Sequence, residues 1–181
     1  MTRNHLITAV AAIGLAAAVP ASAKVNVIQS ESPALAQGSS FAWAPVPARG
    51  FGLPDPQLAN EITAERLARL TEVTLTNKGY RQVEDASQAD LLIAYTIVIL
   101  PETDARLTAD GPSCGPFCGA SGYSVDIQRH TQGTLVLDLI ERQSGRLVWR
   151  ATSEKRVTGK DVSQEKLAAL LRKMTKSLPA R

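Results

Sequence analysis

Cys114-Gly115-Pro116-Phe117-Cys118 is the most distinctive local motif of the chain. In an oxidising compartment, two cysteines four residues apart most simply form a disulfide that closes a small loop. The chain-entropy model assigns such a loop about 2 kcal/mol, less any strain. A redox-active pair is the sharper alternative. The spacing exceeds Cys-x-x-Cys by one residue, however, and no strand leads into a helix whose N-terminus would lower a thiol pKa. Cys114 and Cys118 are therefore expected to be a structural disulfide.

His130 is the one histidine beyond the N-terminal leader described below. One histidine and two oxidised cysteines do not make a four-ligand Cys/His zinc site. A Ser-His-Asp triad would have to use His130, and no G-x-S-x-G elbow precedes a helix. Phosphate-cradling signatures are missing too: there is neither G-x-x-x-x-G-K-[ST] nor a G-x-G-x-x-G after a strand. Asp126 and Asp138 could in principle join as an acid and a base, but nothing in the sequence fixes their separation. Asp138 belongs more naturally to the exposed face of a strand. The expectation is no catalytic residue, no cofactor and no metal, hence a protein that is not an enzyme. A periplasmic hydrolase or thiol-redox accessory enzyme stays as the alternative.

Charge offers a second kind of chemistry. Residues 24–140 carry 8 basic and 13 acidic side chains, a net of −5, whereas residues 141–181 carry 11 and 4, a net of +7. Arg142, Arg146, Arg150, Lys155 and Arg156 cluster along and after one predicted hairpin and are candidate partner-binding residues. They lack the interleaved aromatics of a nucleic-acid stacking platform, so no nucleic acid is expected. An acidic protein patch or an anionic lipid or glycan surface suits them better.

The leader defines the expected compartment. Arg3 supplies a positive start, residues 6–19 are small or aliphatic, and Val19-Pro20-Ala21-Ser22-Ala23 ends in an A-x-A cleavage signal. The run is too short to span a ~30 Å hydrocarbon core, so residues 1–23 read as a secretory signal peptide. No later stretch is long and apolar enough to cross a membrane as a helix. Residues 24–181 have the length of one domain, enough to bury roughly two-thirds of the unfolded chain's surface.

The elements that must position these groups follow from periodicity. Thr131 to Val157 reads as two alternating strands around Arg142-Gln143-Ser144-Gly145, a polar loop ending in a glycine that can take positive φ. Leu135, Leu137 and Leu139 share one face of the first strand, and Leu147, Trp149 and Ala151 share one face of the second. Short strands are expected at Lys24–Ser30 and Phe41–Trp43. Asp55-Pro56 looks like a helix start, and that helix continues to Asn77 and stops at Lys78-Gly79. Ala64, Leu67, Ala68, Thr71 and Leu75 form its apolar face, opposite a water-facing stripe of Glu61, Glu65, Arg69 and Glu72. Asp90–Leu100 is apolar on both faces, which predicts a central strand covered on both sides and ended by Pro101. Glu102 to Arg129 has poor periodicity and many Gly and Pro residues, which predicts a long loop of the kind that is functional or disordered. A last amphipathic helix spans Ser163–Ser177.

Three blocks then carry a resemblance: Lys78-Gly79-Tyr80, Ala89-Asp90-Leu91-Leu92, and Gly133-Thr134-Leu135-Val136-Leu137-Asp138 followed by Leu147-Val148-Trp149-Arg150. With a signal peptide ahead and an amphipathic helix behind, the chain resembles the bacterial envelope domain-of-unknown-function family 4136 over nearly all of residues 24–181. The resemblance implies an α+β domain with a mixed, mostly antiparallel sheet and two amphipathic helices packed on one face. It brings no catalytic residues. Members are often lipoproteins, but here Lys24 follows Ala23 and no cysteine precedes Cys114. The expectation is a soluble periplasmic or secreted protein that binds another envelope component, through the Glu102–Arg129 loop or the basic hairpin edge.

Overall fold

The structure, a computed structural model, describes residues 23–36, 38–44, 58–109 and 123–179. Six strands form one sheet: β1 (Lys24–Gln29), β2 (Ser40–Trp43), β3 (Arg81–Gln82), β4 (Leu91–Ala109), β5 (Tyr123–Glu141) and β6 (Leu147–Arg156). Their order is β1-β6-β5-β4-β2-β3. The ladders are antiparallel except where β2 lies parallel to β3 and to β4. Helices α1 (Glu61–Asn77) and α2 (Gln164–Met174) cover one face of the sheet. The class is α+β, mixed and mostly antiparallel.

Alternation along the strands builds the core. Leu135, Leu137 and Leu139 of β5, with Ile93, Trp149 and Ala151, meet Leu67 and Leu75 of α1 and Leu171 and Met174 of α2. The Trp149 ring is fully buried, and its Nε1–H donates to Ser177 Oγ at 3.1 Å, so the indole keeps its polar partner. At the other edge, Asp90 clasps β2. Its Oδ2 accepts from Ser40 N and Ser40 Oγ, both at 2.7 Å. Those bonds hold the carboxyl below its ordinary pKa.

Four local expectations are corrected. The first helix begins at Glu61, where the Asn60 side chain accepts the Thr63 N–H at 2.8 Å; residues 58–60 are not helical, and Asp55-Pro56 lie outside the described residues. Its stop is as the sequence indicates, with Gly79 at φ +96. Glu72, placed in the water-facing stripe, instead accepts the Trp43 indole N–H at 2.7 Å. In β6, a register shift opposite Leu139 and Ile140 breaks the simple alternation. Val148 is therefore buried beside Trp149 while Leu147 points outward.

The fourth correction is the largest. β4 does not end at Pro101, and it is not covered on both sides. Leu91, Ile93 and Ile99 are buried, whereas the opposite face of the strand is only half-buried and Leu100 is exposed. Nor is Glu102–Arg129 one long loop. Its flanks pair residue by residue, from Glu102↔His130 to Ala109↔Tyr123. Arg142 N donates to Asp90 O at 3.0 Å, and alternation from that pair turns the nitrogen of each odd-numbered β4 residue away from β5. Pro101 therefore gives up no ladder bond and the strand runs through it.

Candidate functional site

Residues 102–109 and 123–130 extend beyond the helices as a two-stranded arm, about 25 Å long at the usual strand rise. Among the described residues no third strand pairs with it. Period-two alternation gives the arm two unlike faces. One carries Leu107, Val125 and Ile127, which are 72%, 56% and 58% exposed. It continues the face that α1 and α2 cover nearer the core. The other carries Glu102, Asp104, Arg106, Asp126 and His130, with Arg106 directly opposite Asp126.

His130 sits where the arm leaves the sheet. Its Nε2 lies 3.2 Å from Glu102 Oε2, and its Nδ1 lies 3.7 Å from Asp104 Oδ2. Asp104 also meets the Arg156 guanidinium. No group of three or more His, Cys, Asp or Glu side chains with metal-binding geometry occurs among the described residues. Asp126 and Asp138 fall at opposite ends of β5, in the arm and in the six-stranded region respectively. Cys114 and Cys118 lie outside the described residues.

The five candidate basic residues do not converge on one face. Arg150 grips Asp138 in a two-pronged pair, Nε to Oδ1 and Nη2 to Oδ2, each at 2.7 Å. Lys155, on the helix-covered face, pairs with Asp161, and Arg156 pairs with Asp104. Arg142 Nε donates to Ala89 O at 2.7 Å and ties the hairpin to the start of β4. Arg146 is exposed in the turn beside Glu141. Sequence alone could locate these charges but not their partners, because each pairing crosses strands whose register the chain does not spell out.

A cleft of about 70 Å³ opens between the N-terminal ends of α1 and α2, above the sheet. Leu67, Ile97, Leu135 and Leu167 line it, together with Ser153 and the Lys155–Asp161 pair. Burial works against ionised Asp161, but hydrogen bonds from Lys155 and from the Thr158 backbone and hydroxyl outweigh it and hold the pKa down. Arg66 Nη1 donates to Val162 O at 2.5 Å and joins α1 to the turn ahead of α2.

Comparison with known proteins then places the chain. The model of the family described as "Domain of unknown function (DUF4136)" matches residues 25–180. No curated protein matches. Among solved structures, the chain is similar to a PDZ domain protein from Parabacteroides distasonis at 13% identity and a TM-score of 0.51, over 86% of this chain and 35% of that one. A DUF4136 family protein from Bacteroides thetaiotaomicron is 15% identical with a TM-score of 0.49, over 86% and 95% of the two chains. A PelC dodecamer from Paraburkholderia phytofirmans is 15% identical with a TM-score of 0.46, over 88% and 99%. At these identities the likeness concerns the fold.

Proposed function

Because the chain belongs to the DUF4136 family, we propose that it is a non-catalytic binding module of the cell envelope. The observation that supports this is the arm. A two-stranded ribbon is marginal in water without cover, yet this one keeps an apolar face of Leu107, Val125 and Ile127 exposed. Contiguous exposed apolar side chains on a water-soluble domain mark an interaction surface. The partner that fits is an extended segment of another envelope protein with alternating apolar residues. It would add a strand at the arm's open edge and lay its apolar side chains over that face. The signal peptide supports delivery to the periplasm or beyond, where such a partner resides.

The experiment is in vivo crosslinking of the periplasmic protein and mass spectrometry of what it captures. The expected result is one stoichiometric envelope partner, lost when Leu107, Val125 and Ile127 are all changed to Ser. Capture that is unaffected by the triple substitution in a folded protein would refute the proposal.

A further inference from the structure

The cleft between α1 and α2 holds a feature that core packing does not account for. Ser153 is 2% exposed, and its Oγ has no hydrogen-bond partner among the described residues. Buried hydroxyls in native proteins are almost always paired, so one left over in a mostly apolar recess calls for a partner beyond the described residues. The surrounding walls give its chemistry: Leu67, Ile97, Leu135 and Leu167 are aliphatic, and the nearby cation Lys155 is already engaged by Asp161. A charged ligand would have to break that pair. A neutral one would not.

We infer that the cleft binds a neutral aliphatic molecule carrying one hydroxyl or carbonyl oxygen, which hydrogen-bonds to Ser153 Oγ. An apolar cavity of roughly 150 Å³ accommodates benzene. At 70 Å³ this cleft encloses about half as much, some three or four non-hydrogen atoms. The oxygen-bearing end enters, and any remaining chain leaves by the open mouth. The oxygen can belong to a free small alcohol or ketone, or to the end of a longer chain. The shared chemistry is an aliphatic group with one uncharged oxygen.

The test is a methyl-resolved NMR titration of the mature protein with 1-butanol and, separately, with 1-decanol. Saturable shifts at Ile97, Leu135 and Leu167 are expected. Ser153→Ala keeps the cleft and loses the anchor, so 1-butanol should bind about fivefold more weakly, in line with one hydrogen bond. Leu170→Phe fills the cleft from α2 and should abolish the shifts. Binding of 1-butanol alone identifies a free small molecule, and binding of both identifies a chain end; each supports the site. No saturable shift in the wild-type protein, or equal affinity in Ser153→Ala, would overturn it. Should Ser153→Ala not fold, persistence of binding in Leu170→Phe would overturn it instead.

Discussion

Between Leu91 and Leu100, β4 lies in a six-stranded sheet and presents Leu91, Ile93 and Ile99 to two helices. β2 pairs with it only as far as Ile93; beyond that β5 alone lies beside it among the described residues, and farther out Leu107 faces water. Pairing, register and alternation are continuous across the boundary. What changes is the cover. The inner half shows how this domain is held together, and the outer half shows what it has left to offer. An apolar side chain stabilises where helices meet it; where they do not, it is left for the proposed partner.

The largest expected contrast comes from truncating one residue in each region. Trp149→Ala removes a fully buried ring and should cost about 3 to 5 kcal/mol in urea unfolding. Leu107→Ser should change stability by no more than about 0.5 kcal/mol while weakening partner capture. If the arm substitution destabilised as much as the core one, the division between the two halves would fail. Gly133 lies near the boundary, where an added Cβ would stand 2.7 Å from Val157 Cγ1 and 2.9 Å from Cγ2. Gly133→Ala should therefore cost about 1 to 3 kcal/mol by overpacking, read from the same unfolding curves.

Smaller effects sharpen the picture. Asp138→Asn unpairs Arg150, which is 43% exposed, so the loss should stay within about 1 kcal/mol. Asp90 is held below the ordinary aspartate value of 3.8, chiefly by hydrogen bonds from the backbone and hydroxyl of Ser40. A carboxyl depressed in the folded state adds stability above its unfolded value, and that stability is lost as pH falls through the folded one. The drop in urea midpoint between pH 7 and pH 3 should therefore be smaller in Asp90→Asn than in the wild type.

The inner half was largely legible in the sequence. Leu135, Leu137 and Leu139 alternate cleanly, Gly79 and Gly145 mark a helix stop and a turn, and the three family blocks fall inside the covered region. The outer half was not. Thr103, Ala105, Leu107, Val125 and Ile127 alternate with polar residues, but Pro101 reads as a strand terminator and the glycines of residues 111–122 read as a loop. Only the ladder phase, set by the Arg142–Asp90 bond, reveals that Pro101 turns its nitrogen outward. Ser153 was equally hidden, since an unpaired hydroxyl is a property of packing. The charge count found the basic residues and missed that Asp138, Asp161 and Asp104 engage three of them.

The most direct measurement places a photo-crosslinking amino acid at position 127 on the arm and, in a second protein, at position 65 on the exposed face of α1. Both are irradiated in living cells. A single partner adduct from position 127 and none from position 65 is the predicted result. Equal adducts from both positions, or an adduct from position 65 alone, would contradict the assignment of binding to the arm.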